Sequence, residues 1–330
     1  MKRIAVIGLG KMGLLHASLL NTMPEVELVA FCERSGLIRR FSKNIVAGIT
    51  MVDSVDKLSE FDLDAVYITT PSSSHYAILD TVFAQGICRN VFVEKPLANN
   101  ITESKYLENL PTRLGIDSIN MVGYNRRFSV TLKKAKEIIE EGTLGEPVSF
   151  EAYGFSSDFR SEDDDRRNGR GGVIKDLASH AIDLVIWYVG NVSVESIVSS
   201  QVSNSGAIDS AVFQVGTSKG LSGQIRASWI ESDYHLPEIG FIMEGNKGLT
   251  LVVNEDVLEL RSNSGERRVW HKHDLNDTAN FLLGGAEYLR EDQAFIDAIS
   301  SGKAVEPNFS TALRVDEIIH DVEMRISGQS

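Results

Sequence analysis

The chain is poor in cysteine. Cys32 and Cys88 are the only two in 330 residues, too few for a disulfide framework or a four-thiolate zinc site. Both lie in apolar runs, where a thiol behaves as a small buried hydrophobe. Positive charge is also scarce: 33 Lys and Arg against 46 Asp and Glu leave a net charge of −13. That balance argues against non-specific nucleic-acid binding, which needs a basic surface. It leaves room for a local basic pocket around an anionic ligand. No apolar run approaches the ~20 residues of a membrane helix; the run at 182–189 is interrupted by Asp183. Behind Lys2 and Arg3, the apolar stretch is broken by Gly8, Gly10 and Lys11, so no secretory leader is read there. The expectation is a cytoplasmic protein without membrane or nucleic-acid partners, in which the Asn-x-Ser/Thr triplets at Asn100 and Asn191 carry no meaning. Low-complexity tracts, solenoid repeats, a P-loop, Gly-x-Ser-x-Gly and His-Glu-x-x-His are all missing.

What is present is ordinary globular composition, 42% apolar and 24% charged. A single core rarely exceeds ~250–300 residues, so two domains are expected. In the first third, short apolar runs at 4–8, 26–32, 65–69, 91–93 and 119–123 alternate with helical spacing at 12–21, 75–85 and 104–110. Continuous apolar strands alternating with helices predict a parallel sheet covered on both faces, doubly wound as in a Rossmann domain. The character changes after Tyr124. A charged amphipathic helix over 130–141 precedes a strand at 147–155, a highly charged loop at 158–170 and a long helix at 173–188. Strand-like runs separated by turn signals fill 193–269, and helices at 295–299 and 312–325 close the chain. The second domain therefore reads as α+β with a mainly antiparallel sheet, and the division expected is 1–123 and 124–330.

Gly8-Leu9-Gly10-Lys11-Met12-Gly13 is Gly-x-Gly-x-x-Gly between an apolar strand and an amphipathic helix. In that setting Gly8 permits a tight turn, Gly10 lets a pyrophosphate approach the backbone, and Gly13 lets helix pack on strand. The helix start offers unpaired N–H groups to phosphate. Glu33 follows the second apolar run, where a carboxylate accepts from both ribose hydroxyls and favours NAD. Arg34 beside it keeps NADP open, since arginine can hold a 2′-phosphate.

Hydride transfer from an alcohol needs a group to take the hydroxyl proton. Two segments supply candidates. Glu94-Lys95-Pro96 ends an apolar strand, the edge where open α/β sheets bind ligands, and Lys95 can stabilise a developing alkoxide. Asp176, His180 and Asp183 recur at i, i+4 and i+7, one face of a helix, and carboxylates keep a histidine oriented and basic. Both segments are equally compatible with purely structural hydrogen bonding. Arg160, Arg166, Arg167 and Arg170, around the Asp163-Asp164-Asp165 run, are candidates to face an anionic substrate. His271 and His273 are i, i+2 in an expected strand with no further ligand spacing, so no metal is expected.

Taken together, the glycine motif, Glu94-Lys95-Pro96, Gly123-Tyr124-Asn125-Arg126-Arg127-Phe128 and Gly171-Gly172-x-x-x-Asp176-x-x-x-His180-x-x-Asp183 resemble the glucose–fructose oxidoreductase / inositol dehydrogenase / rhizopine-catabolism (Gfo/Idh/MocA) family, in order and spacing, over nearly the whole chain. The resemblance implies a Rossmann domain followed by a substrate-binding and oligomerisation domain built on an open sheet, which makes a homodimer or homotetramer. It implies oxidation or reduction of a sugar, cyclitol or sugar-derivative hydroxyl with NAD or NADP. Lys95, His180 and Asp176 match the catalytic lysine, the acid/base histidine and its carboxylate neighbour. Gly8, Gly10, Lys11, Met12, Gly13, Glu33, Arg34, Thr70, Pro71, His75, Glu94 and Lys95 are the expected cofactor residues. Lys95, Tyr124, Arg127, Arg160, Asp176 and His180 are those expected at the substrate. Ser72 stands where the family commonly has Asn, and Arg170 where a third glycine is frequent. The alternatives are an NAD-using glycosidase or epimerase that returns the hydride within a cycle, and a dinucleotide-binding regulator without turnover.

Overall fold

The computed structural model describes residues 1–42, 48–157, 171–204, 206–275, 279 and 285–328, with backbone only at Phe41 and Ser42. The chain divides into two compact units: Met1–Asn125 with Ala279–Leu313, and Arg126–Thr278 with Arg314–Ser330.

The first unit holds β1 (Lys2–Ile7), α1 (Lys11–Leu20), β2 (Val26–Cys32), α2 (Gly36–Ser42), β3 (Thr50–Val52), β4 (Ala65–Ile68), α3 (His75–Ala84), β5 (Val91–Val93), α4 (Ile101–Arg113) and β6 (Asn120–Val122). The strands form one sheet, ordered β3-β2-β1-β4-β5-β6, with every pair parallel. This is the doubly wound order in which the chain reverses direction across the sheet beside β1, opening a crevice at the strands' carboxyl ends. Every residue of β4 and β5 is buried, which is why these strands read as unbroken apolar runs. Asn100 caps α4 by accepting the Glu103 N–H at 3.0 Å.

The linear division at 123 does not anticipate that 279–313 returns to the first unit. Its helix α7 (Ala286–Ser301) is the reason. Phe295 of α7 meets Tyr67 edge-on at 5.6 Å, and Tyr67 stacks on Phe92 at 4.7 Å. These side chains are fully buried, so α7 completes the core under β4 and β5. The chain near it is fastened by Val122 N–H to Pro307 O at 2.9 Å and by Phe309 N–H to Asn120 Oδ1 at 2.8 Å.

The second unit is built on β7 (Pro147–Phe155), β8 (Ser193–Val202), β9 (Ile208–Gly216), β10 (Ser222–Ser228), β11 (Glu238–Gly245), β12 (Leu249–Asn254), β13 (Val257–Ser262) and β14 (Arg267–His271). Their order is β14-β13-β12-β11-β7-β10-β9-β8. All pairs are antiparallel except β7 with β10. One face is apolar: Phe150, Ala152, Phe213, Ile225, Phe241, Met243 and Leu251 are all buried, the alternation of a sheet covered on one side. The helices are α5 (Val130–Glu140), α6 (Ser179–Val189) and α8 (Phe309–Ser327), whose residues from Arg314 onward belong to this unit.

Two local expectations change. The helix expected over 173–188 opens with a π-type stretch at Ile174–Ala178 before α6 begins. A Cβ on Gly154 would come within 3.0 Å of both Cβ and O of Leu177, so this stretch lies directly on β7. His271 ends β14 and Lys272–Asp274 form a 3₁₀ turn, so His271 and His273 do not share a strand face; the Asp274 carboxylate accepts the His271 N–H at 2.8 Å and turns the chain there.

Candidate active site

In the first unit the glycine motif adopts a shape that only small residues permit. Gly8 has φ +93°, and a Cβ there would lie 2.7 Å from Thr70 Cγ2. A Cβ on Gly13 would stand 1.9 Å from the carbonyl oxygen of Gly8, so α1 packs against the turn only without one. Gly10 is different: a Cβ there would meet nothing within 4 Å. Gly10 is also the N-cap of α1 and offers no side chain to the first N–H groups, which leaves them for an anion.

The Glu33 carboxylate at the end of β2 is held from both sides. Its Oε2 accepts the Leu9 N–H at 2.9 Å and its Oε1 accepts the Ser35 N–H at 2.7 Å. Arg39 turns its guanidinium to the carbonyls of Glu33 and Arg34, at 2.7 and 2.8 Å. A cleft of about 670 Å³ runs along these strand ends. Of the expected cofactor residues it is lined by Gly8, Gly10, Glu33, Arg34, Thr70 and Pro71; Ser74 also lines it, as do Asp53, Ser54 and Ile38, which sequence reasoning missed. Lys11, Met12, Gly13, His75, Glu94 and Lys95 are not among its lining residues. The uncapped helix start, the open space over Gly10 and the fixed carboxylate together fit a dinucleotide with a free ribose diol.

His75 is fully buried, with Nδ1 3.0 Å from Pro96 O and Nε2 2.8 Å from Thr70 O. Burial pushes its pKa below the ordinary value, against the pull of those carbonyls; in its neutral form the ring has one N–H and donates to one of the two. Glu94 points away from the cleft. Its Oε1 meets His16 Nε2 at 3.0 Å, and its Oε2 accepts the Lys95 N–H at 3.3 Å. A Cβ on Gly123 would sit 2.9 Å from Oε2, so that glycine makes room for the carboxylate. Lys95 lies two residues past β5, at the strand end where it was expected, and Tyr124 is fully buried.

In the second unit Asp176 and Asp183 have separate tasks. Asp176, in the π-type stretch, accepts the indole N–H of the buried Trp229 at 3.2 Å. Asp183 accepts a two-nitrogen fork from Arg127, with contacts from 2.6 to 3.1 Å. Arg127 is itself buried and lies 5.7 Å from the Trp187 ring centroid. His180 stands in the first turn of α6, partly exposed. Asp176 lies within the wider turn at Ile174–Ala178, whereas His180 and Asp183 lie in the regular helix α6. Arg160, with Arg166, Arg167, Arg170 and the acidic run, lies outside the described residues.

Residues 2–116 match the family described as "Oxidoreductase family, NAD-binding Rossmann fold", and residues 132–250 match the "GFO/IDH/MocA C-terminal domain". The chain belongs to the Gfo/Idh/MocA oxidoreductase family. Among its relatives, the scyllo-inositol 2-dehydrogenase (NAD(+)) of Bacillus subtilis (strain 168) is 27% identical over 68% of this chain and 67% of its own length. The inositol 2-dehydrogenase of Rhizobium meliloti (strain 1021) is 23% identical over 94% and 92%. A levoglucosan dehydrogenase in complex with NADH and levoglucosan shares the fold, with TM-score 0.82, 20% identity and coverage of 100% and 98%.

This member of the family is an NAD-dependent oxidoreductase, and its Rossmann unit carries the NAD-binding motif. Sequence reasoning also missed His16 there, three positions after Gly13 on α1. Its position was visible, but its partner Asp292 is 276 residues away, and nothing local announces that pairing.

Proposed function

We propose that this Gfo/Idh/MocA enzyme oxidises a ring hydroxyl of a cyclitol or sugar. The backbone of Gly8, Gly10, Lys11 and Met12 receives the pyrophosphate, and Glu33 receives the adenosine ribose diol. Bound NAD supplies the hydride acceptor. The chain's own work is proton and charge handling at the substrate oxygen. His180 takes the hydroxyl proton, Asp176 orients the ring of His180, and Lys95 stabilises the negative charge that develops on oxygen. Arg127, engaged with Asp183, fixes the helix that carries His180.

The observation that carries this reading is the Glu33 carboxylate, held by two backbone N–H groups at the rim of a cleft that passes the open space over Gly10. Asp53 lines the same cleft, and two carboxylates there disfavour a 2′-phosphate, so NAD is preferred to NADP. The substrate class follows the names of the inositol dehydrogenase relatives. No helix among the described residues is long and apolar enough to cross a membrane; in this reading the enzyme acts in the cytoplasm as a homodimer or homotetramer.

The test is absorbance at the reduced-nicotinamide band with scyllo-inositol, myo-inositol, levoglucosan and glucose 6-phosphate, each with NAD and with NADP. Turnover with NAD on at least one of them is expected, and it falls about 10²-fold or more in Lys95→Ala and in His180→Ala. Tight NAD binding without reduction by any polyol would overturn the reading.

A further inference from the structure

Behind the strand end that carries Lys95 lies a buried cluster of four titratable side chains that the reaction scheme above does not use. His16 comes from α1, Glu94 follows β5, and Glu291 and Asp292 come from α7. His16, Glu291 and Asp292 are fully buried, and the Glu94 side chain is 14% exposed. His16 Nδ1 lies 2.8 Å from Asp292 Oδ1, and Nε2 lies 3.0 Å from Glu94 Oε1. The imidazole is wedged among Phe92 at 4.9 Å, Tyr67 at 5.7 Å and Tyr288 at 6.1 Å, so the ring cannot swing away.

Ionised carboxylates only accept hydrogen bonds. A ring with both nitrogens against such partners satisfies both only as an imidazolium. Burial opposes that charge, but the charge and hydrogen bonds of Asp292 and Glu94 overcome it and hold the pKa of His16 well above its ordinary value. The other ionisable groups around the ring are Glu291 and Tyr67. Burial raises the pKa of both well above the ordinary, and raises that of Asp292 as well. Each ring nitrogen has one carboxylate within hydrogen-bond distance.

We propose that His16 is a positioning residue: donating from both ring nitrogens, to Asp292 and to Glu94, it fastens the strand end bearing Lys95 to the helix that opens the glycine loop. Glu94 is the link, since its other oxygen accepts the Lys95 N–H and rests in the space that Gly123 leaves. The helix that presents its N-terminus to phosphate and the segment that presents the lysine are then one rigid piece. The positive ring also offsets one of the carboxylates beside Lys95. The inference rests on Lys95 acting at the substrate oxygen.

The experiment uses the full chain with NAD and whichever of the four polyols it oxidises fastest. In His16→Gln, kcat falls about 10-fold or more while KM for the polyol and the NADH dissociation constant from fluorescence stay within about threefold, because orientation rather than binding is lost. A folded His16→Gln enzyme with wild-type kcat overturns the proposal. If that variant does not fold, ¹⁵N NMR of the histidine-labelled wild-type protein decides. A ring doubly protonated at pH 8, lost in Asp292→Asn, supports it; a neutral His16 overturns it. Lys95→Ala with undiminished turnover would instead bring down the catalytic reading, so the two failures are distinguishable.

Discussion

At the residue scale, the strongest departure from ordinary solvation is Glu291. Both of its carboxyl oxygens are buried and have no hydrogen-bond partner among the described residues. Burial above all pushes its pKa well above 4.5; His16 opposes the shift, while Glu94 and Asp292 add to it. A folded-state pKa above the unfolded one means that the folded chain holds a proton which the unfolded chain releases. Stability from this group is complete below about pH 4.5 and drains away as pH rises through the folded value, by about 1.4 kcal/mol per pH unit within that window. Glu291→Gln keeps the shape and removes the titration. Its melting temperature should match wild type near pH 4.5 and exceed it by several degrees at pH 8. A constant offset at both pH values would contradict the assignment. The two thiols carry no comparable charge: burial pushes Cys32 and Cys88 up to about 11, which leaves both protonated and unreactive at neutral pH. Their place in apolar runs was enough to anticipate that.

At the scale of elements, α1 separates two uses of glycine that the motif presents as one. A Cβ on Gly13 would stand against backbone, 1.9 Å from Gly8 O, whereas a Cβ on Gly10 would reach empty space. Gly13→Ala must push α1 off the turn, an overpacking that costs about 1–3 kcal/mol, and it disturbs the phosphate cradle as well. Gly10→Ala leaves the fold alone and fills the space a pyrophosphate needs. Thermal melts should show a loss for Gly13→Ala only, and NADH titration should show weakened binding for both. Equal melting losses would refute this division of roles. β4 and β5 were readable because both faces of their sheet are covered, so every residue is apolar and buried, whereas β3, three residues starting at Thr50, did not stand out; β7 was readable because its covered face imposes alternation over Phe150–Gly154. The path of the chain after residue 278 was not, since the affinity of α7 for β4 and β5 arises from Phe295 meeting Tyr67 and Phe92. The π-type stretch at Ile174–Ala178 was hidden for a related reason. Periodicity assumes a constant turn, and here Leu177 is set by close approach to Gly154. Arg127 was expected at the substrate, and a bare sequence does not show that Asp183, 56 positions on, accepts from its Nε and Nη2.

At the scale of the whole molecule, the remaining question is what meets the outer face of the second unit's sheet. Outward residues of neighbouring strands align by register: Val212 with Arg226 and Tyr153, and Glu151 with Ile242 and Val252. Charged members of this face are already matched within the chain. Arg226 reaches Glu151 at 3.2 Å, and Tyr153 donates to Glu238 at 2.8 Å. With those groups paired, Tyr153, Val212, Ile242 and Val252 leave a flat surface of aromatic and β-branched side chains whose charges need no new partner. An apolar outer face with its charges paired within the chain suits an isologous contact between two copies. Ile242→Arg places a second guanidinium beside Glu151, which Arg226 already engages, and in a two-fold contact that added charge would face the same patch of the second copy. Light scattering after size exclusion should give a dimer or tetramer for the wild-type chain and a smaller assembly for Ile242→Arg. The variant's circular dichroism and NADH affinity should be unchanged, because the substituted residue lies outside the Rossmann unit. A wild-type chain that runs as a monomer at micromolar concentration would remove this face from the account of assembly and leave the reading of the cofactor cleft untouched.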